Sequence, residues 1–289
     1  MIVRLERGVD AYAWFRDPAG RTLLVPVGDG RWTLPGGAVR HGEHPAEAVV
    51  RRVAEQTGQQ VEIVRAREVV TEIDEASDMR IHRDQIVFEV SAASVSAEYG
   101  LFTDDALDGL PLSAVAASAI GVRQPVTDSH QRDTVTWATT PGESPTRRQR
   151  FAAYAFATDP SGNVLLTLIA HGYPGAGRWH LPGGGTDFGE TAEAGLLREI
   201  VEETGQSGEI GPLISVSHRH QPSVLGPEGV PMDWHGIRVI YRVRVAEPTK
   251  PEVLDGGGST AAAAWFAPVR AAELPLTEVA LEVVRQVNT

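Results

Sequence analysis

The sequence predicts an α/β chain made of two similar domains. Three observations carry that expectation. First, the chain repeats itself. Residues 11–18 read AYAWFRDP and residues 153–160 read AYAFATDP, while residues 30–37 read GRWTLPGG and residues 177–184 read GRWHLPGG. Near the end of each copy, Leu110-Pro111-Leu112-Ser113 returns as Leu274-Pro275-Leu276-Thr277. A period this long marks a duplicated domain rather than a solenoid repeat. Second, strand and helix patterns mix within each copy. In the second copy, an apolar run at Val164–Ile169 leads to a Gly-Pro turn and a helix over about 191–204. Strands at Leu213–Ser217 and Ile237–Val245 follow, and a closing helix spans Thr277–Val287. Such a mixture suggests sheets flanked by helices. Third, 289 residues leave room for two domains, each with its own core.

The offset between copies grows from 142 to 147, so the second copy holds five extra residues around His171–Gly175. Residues 138–147, ATTPGESPTR, read as an exposed linker. The expected division is a first domain over 1–125, a linker over 126–147 and a second domain over 148–289. Thr134–Trp137 resembles a stray strand inside that linker.

Composition narrows the function. The net charge of −12 repels phosphate backbones, so extended nucleic-acid binding is disfavoured. A small anionic substrate is not, because it can arrive as a metal complex. Only one of the 26 basic residues, Lys250, is a lysine. The absence of cysteine excludes disulfides, thiolate catalysis and zinc–thiolate sites. No apolar stretch is long enough to span a membrane, and the first residues lack a signal-peptide core, so a cytoplasmic location is expected.

Chemistry concentrates in residues 181–206, LPGGGTDFGETAEAGLLREIVEETGQ. Glu199, Glu202 and Glu203 stand at i, i+3 and i+4 and share one helix face. Three carboxylates so close stay ionised together only with cations among them, and all-oxygen ligation suits Mg²⁺ or Mn²⁺. Arg198 is spaced to pair with Glu202. Gly183-Gly184-Gly185 permits a tight turn and close backbone approach. The helical wheel sets Ala194, Leu197, Ile200 and Val201 opposite the carboxylates, facing the core.

Gly184, Glu190, Arg198, Glu199, Ile200, Glu202, Glu203 and Gly205 match the G-x5-E-x7-R-E-U-x-E-E-x-G-U pattern of the Nudix family in register. The segment therefore resembles a Nudix box, with Gln206 where the family prefers an aliphatic residue. The resemblance implies two α/β/α sandwich domains with mixed sheets, paired within the chain as a pseudo-dimer. It also implies a metal-dependent hydrolase acting on the pyrophosphate linkage of a small nucleotide. Metal ligands would be the Gly183 carbonyl, Glu199, Glu202 and Glu203, with Arg198 and Glu190 supporting catalysis. Pro222, about sixteen residues beyond the box, is the family's loose marker of ADP-ribose preference, which leans the expectation to ADP-ribose or a nucleotide sugar. A nucleoside triphosphate pyrophosphatase and a non-enzymatic nucleotide-sensing module are the alternatives.

In the first copy, residues 34–59 read LPGGAVRHGEHPAEAVVRRVAEQTGQ. Gly37, Glu43, Arg51, Glu55 and Gly58 persist, but Arg52 and Gln56 replace the counterparts of Glu199 and Glu203. This helix face should not hold Mg²⁺, and Val49, Val50 and Val53 keep its core side. Elsewhere, Arg178, His218, His220 and Asp233 are candidate substrate contacts. His218 and His220 share a strand face, where a zinc site would lack a clear third ligand. His235 aligns with His82, which suggests a structural role. Trp179 reads as core, because Trp32 keeps its place in the first copy.

Overall fold

The computed structural model describes residues 4–28, 30–75, 78–92, 100–122, 146–225 and 231–287. All but the last two positions of the expected 126–147 linker, and the strand-like Thr134–Trp137, lie outside the described residues. The chain divides into two compact units, residues 1–150 with 218–237, and residues 151–217 with 238–289.

The first copy runs β1 (Arg4–Trp14), β2 (Thr22–Pro26), β3 (Trp32–Thr33), β4 (Gly36–Ala38), α1 (Pro45–Thr57), β5 (Glu62–Glu75), β6 (Met79–Ser91), β7 (Gly100–Phe102), α2 (Asp104–Leu107) and α3 (Ala114–Ile120). Its main sheet has the order β4-β1-β6-β5, with β1 parallel to β6 and antiparallel to β4. A smaller sheet has the order β3-β2-β7.

The second copy runs β8 (Thr146–Thr158), β9 (Val164–Ile169), β10 (Trp179–His180), β11 (Gly183–Gly185), α4 (Ala192–Thr204), β12 (Glu209–Leu225), β13 (Pro231–Arg244), β14 (Thr260–Phe266), α5 (Pro268–Glu273) and α6 (Glu278–Val287). Its strand order is β10-β9-β8-β13-β12, with β11 on β8 and β14 on β9. Both copies are mixed-sheet α/β structures, as the sequence predicts. The five extra residues fall in the turn between β9 and β10. The strands predicted at 213–217 and 237–245 are longer than expected. Their extensions, within 218–237, group with the first unit, where the Gly42 N–H donates to Nδ1 of His235.

The repeated sequence blocks have a common structural use. In the first copy, the Trp32 N–H donates to the Pro111 carbonyl (2.8 Å) and the Ser113 N–H to the Trp32 carbonyl (2.8 Å). In the second, the Trp179 N–H donates to Pro275 and the Thr277 N–H to Trp179, both at 2.9 Å. The Leu-Pro-Leu-Ser/Thr segment thus straps the last helices to the tryptophan strand. Trp32 meets Phe102 edge-on and Trp179 meets Phe266 edge-on, each with centroids 4.8 Å apart. Both tryptophans pack against their cores, as expected for Trp179.

The box helix begins and ends where its sequence dictates. The Thr191 hydroxyl accepts the Ala194 N–H at the start of α4, and Gly205 closes the helix in the left-handed region (φ 65°). Gly58 does the same for α1 (φ 66°). The buried face of α4 differs from the helical-wheel expectation. It carries Ala192, Gly195, Leu196, Ile200, Glu203 and Thr204, while Ala194 and Val201 are exposed. The face is rotated because the helix lies against the glycine turn as well as the sheet, and that turn takes in Glu203. Gln206, the departure from the family pattern, is buried with its amide satisfied by the Thr204 carbonyl and by Thr249. Among the described residues, no helix is long and apolar enough to cross a membrane.

Leu34 and Leu181 occupy the same repeat position, and both are wholly buried, one in each core. Leu34→Ala and Leu181→Ala should each cost about 2–5 kcal/mol, from lost transfer energy plus the residual cavity. Denaturant unfolding of each variant measures this. A cost under about 1 kcal/mol at either position would show that the repeat cores are not equivalent.

Candidate active site

The site in the second copy is built from the glycine turn and one face of α4. The Gly183 N–H donates to Oε2 of Glu203 at 2.9 Å. Across the other side, the Thr260 hydroxyl on β14 donates to Oε1 of the same carboxylate. The turn must be glycine for this approach. A Cβ on Gly183, which has φ +132°, would fall 2.3 Å from the Ala153 carbonyl oxygen. A Cβ on Gly184 would fall 2.8 Å from the Glu199 carboxylate, so that group lies directly over bare backbone.

Arg198 organises the acids. Its Nε and Nη2 donate to the two oxygens of Glu190, both at 3.0 Å. Nη1 reaches Glu199 and Glu202, also at 3.0 Å, and Nη2 reaches the Gly185 carbonyl at 3.3 Å. The hydrogen bonding to the Glu190 carboxylate is the main reason the guanidinium is held firmly in its charged form. Glu190 in turn accepts the Asp187 N–H (2.9 Å), bracing the loop before the helix.

Glu203 is the electrostatic focus. Only 8% of it is exposed. Burial pushes its carboxyl up to about 7, against the hydrogen bonds from Thr260 and Gly183, and the charges of Glu199 and Glu202 push the same way. The sequence places Glu203 toward solvent with the other acids. The structure corrects this: Glu203 is a buried acid, lying on the same helix face as Leu196 and Ile200.

The first copy keeps the frame and changes the charge. Arg51 grips Glu43 with Nε (2.7 Å) and Nη2 (2.8 Å), as Arg198 grips Glu190. Gln56 accepts the Gly36 N–H (2.8 Å), as Glu203 accepts that of Gly183. Its amide then donates to the Gly36 carbonyl (3.1 Å), to which Arg52 Nε also donates (3.3 Å). A neutral amide and a guanidinium therefore occupy the place where the second copy gathers carboxylates.

A sequence model of the NUDIX domain matches residues 6–109 and 148–287, most of the chain. The chain belongs to the NUDIX family. Diphosphoinositol polyphosphate phosphohydrolase 3-alpha of Mus musculus is 34% identical over 74 residues, covering 26% of this chain and 43% of that protein. Diphosphoinositol polyphosphate phosphohydrolase 2 of Homo sapiens is 30% identical over 103 residues, covering 34% of this chain and 56% of that protein. The chain spans about half the length of these curated relatives. Among solved structures, a MutT NUDIX hydrolase from Burkholderia pseudomallei is similar, with 27% identity and a TM-score of 0.37, over 48% of this chain and 98% of that one. The NUDIX domain of Shewanella oneidensis NrtR complexed with ADP ribose is similar at 19% identity with a TM-score of 0.38, over 49% of this chain and 87% of that one.

Of the residues singled out from sequence, the Nudix-box set Gly183, Glu190, Arg198, Glu199, Glu202 and Glu203 comes together in the second unit. His218, His220 and Asp233 belong to the first unit, where they meet His41 and His235. Arg178 is exposed, with Nη1 donating to the Leu276 carbonyl at 3.4 Å. His82 and His235 are both wholly buried. Two contributors escaped the sequence reading. Gly195 lets Glu190 approach the helix, since a Cβ there would fall 2.8 Å from its carboxylate, and a glycine inside a helix was the available signal. Thr260 lies 57 residues from Glu203 and gave no local signal.

The raised Glu203 value has a stability consequence. In the folded chain without metal, Glu203 holds its proton up to about 7, against a reference of 4.5. Between those values the unfolded chain has released a proton that the folded chain keeps, so stability falls as pH rises through this window. The loss amounts to roughly 3 kcal/mol at most. In chelator, the melting temperature should therefore drop more steeply from pH 5 to pH 8 for the parent chain than for Glu203→Gln, and Mg²⁺ should close the gap. Equal slopes for the two proteins would contradict the burial argument.

Proposed function

We propose that the second copy is a divalent-metal-dependent pyrophosphohydrolase. Its substrate class is a nucleoside diphosphate joined to another group, leaning to ADP-ribose or a nucleotide sugar. The observation that carries this reading is the pairing of Glu190, Glu199 and Glu202 with the guanidinium of Arg198, beside a buried Glu203 that feels the charges of Glu199 and Glu202. That charge balance leaves a surplus of carboxylate, part of it buried, and a divalent cation fits it. The donors are all oxygen, which suits Mg²⁺ or Mn²⁺. Glu199, Glu202, Glu203 and the Gly183 carbonyl would hold the ion.

When bound, the metal would neutralise the diphosphate and lower the pKa of a water molecule. The rest falls to the chain itself. Arg198 fixes Glu199 and Glu202 in one orientation and ties both to the loop through Glu190. The bare backbone at Gly184 leaves Glu199 room to face a ligand. Glu203, braced by Gly183 and Thr260, keeps its carboxylate from swinging away. Hydrolysis joins water oxygen to one phosphorus as the bridging P–O bond breaks, yielding two phosphate-bearing products.

Pro222 supports the lean to ADP-ribose. A diphosphoinositol polyphosphate, the substrate named for the curated relatives, is the competing class.

A substrate panel with Mg²⁺ tests both levels of the proposal. ADP-ribose or nucleotide sugars should exceed nucleoside triphosphates and diphosphoinositol polyphosphates in kcat/KM. Glu199→Gln should lower turnover by about 100-fold or more, with the fold retained. Wild-type turnover in that variant would refute the site assignment. A triphosphate or an inositol pyrophosphate preferred in kcat/KM would refute only the substrate class.

A further inference from the structure

We propose that His41, His220 and Asp233, all in the first unit, form a second metal site, one for a transition ion of the Zn²⁺ type. His220 Nε2 lies 2.7 Å from Asp233 Oδ1, and His41 Nε2 lies 3.0 Å from the same oxygen. One ligand atom from each residue lies within 4.8 Å of the other two. Tetrahedral Zn²⁺ with bonds of about 2.0–2.1 Å sets its ligand atoms about 3.3 Å apart. An ion would therefore enter with shifts of an ångström or less.

A plain hydrogen-bonded His–Asp cluster does not account for the geometry. His220 and Asp233 make such a bond. His41 Nε2, however, is buried and has no hydrogen-bond partner among the described residues, because its 3.0 Å approach to Asp233 is misaligned. A buried ring nitrogen 3.0 Å from a carboxylate oxygen without a well-aligned hydrogen bond to it, its ring edge-on to a second imidazole, is a group that an ion between the three would satisfy.

The donor set also differs in kind from the Nudix box. Two imidazoles and one carboxylate suit Zn²⁺, whereas an all-oxygen set suits Mg²⁺. Three protein ligands leave a fourth position for water, and the His220 side chain is 33% exposed, so the ion has a route in.

The surroundings hold the ligands in place. Gly42 has φ +82°, and a Cβ there would fall 2.8 Å from His220 Nδ1, so the 39–44 loop closes on that ring only because residue 42 is glycine. The Gly42 N–H donates to Nδ1 of His235, whose ring lies 5.4 Å from that of His41 and 6.0 Å from that of His220. Arg147 stands 3.8 Å from the other oxygen of Asp233. The repeat argues against an inherited scaffold feature, since the corresponding positions in the other copy are Phe188, Ile73 and Arg80. The ion would pin the β12–β13 ribbon to the loop ahead of α1.

Zn²⁺ titration of the tag-free full chain by calorimetry, in millimolar Mg²⁺ to saturate all-oxygen sites, tests this. One equivalent should bind, and Zn²⁺ should raise the melting temperature. His41→Ala and His220→Ala should each weaken binding by about 100-fold or more, with folding checked by circular dichroism. Glu199→Gln should leave Zn²⁺ binding unchanged. If His41→Ala fails to fold, the half-exposed His220→Ala carries the test. No Zn²⁺ equivalent above the Mg²⁺ background, full binding in His220→Ala, or loss of binding in Glu199→Gln would each overturn the proposal.

Discussion

The approach of α4 to the glycine turn is the contact on which the catalytic reading depends. A buried Glu203 accepts from the Gly183 backbone, and Glu199 lies over Gly184 where no Cβ stands in the way. That approach sets the rotation of the helix, which in turn decides which residues face the sheet and which face the turn. It also forces ionisable groups together in a partly dry space, where their charges are strongly felt. Arg198 relieves part of this repulsion. The remainder is the surplus of negative charge on which the proposed divalent-cation site rests.

The duplicated copy shows the same contact satisfied by side chains alone, with a guanidinium and an amide in place of two carboxylates. Gln56 makes the hydrogen bond to the turn that Glu203 makes, then returns its amide to the Gly36 carbonyl, where Arg52 joins it. The frame of glycine turn, bidentate Arg–Glu pair and left-handed helix stop is retained in full. Two substitutions convert a surplus of negative charge into a self-satisfied pair of donors. The first copy thus separates what the scaffold needs from what the chemistry needs. The turn and the Arg–Glu pair are common to both copies, whereas the carboxylates at 199 and 203, which the proposed chemistry needs, occur only in the second.

Much of this was legible in the sequence because it is local. The box lies within one loop and one helix, so its spacing alone puts Glu199, Glu202 and Glu203 near a glycine turn. The repeated Leu-Pro-Leu-Ser/Thr segment was visible as an echo, and the structure supplies its reason in the paired bonds to Trp32 and Trp179. What was not legible depends on distant partners. The helical wheel left Glu203 facing solvent because it cannot know that Thr260, from another strand, closes over the carboxylate. The sequence offers His218, His220 and Asp233 only as candidate substrate contacts. No sequence pattern reveals that their part of the ribbon groups with the first unit, or that His41 meets His220 and Asp233 there.

Direct measurement of Mn²⁺ binding to the full chain, by the electron paramagnetic resonance of the free ion, tests the central claim most sharply. The account predicts a tight site that disappears in the double variant Glu199→Gln/Glu203→Gln and survives in the matching first-copy variant Arg52→Ala/Gln56→Ala. Tight binding retained without Glu199 and Glu203, or lost through the first-copy changes, would contradict it.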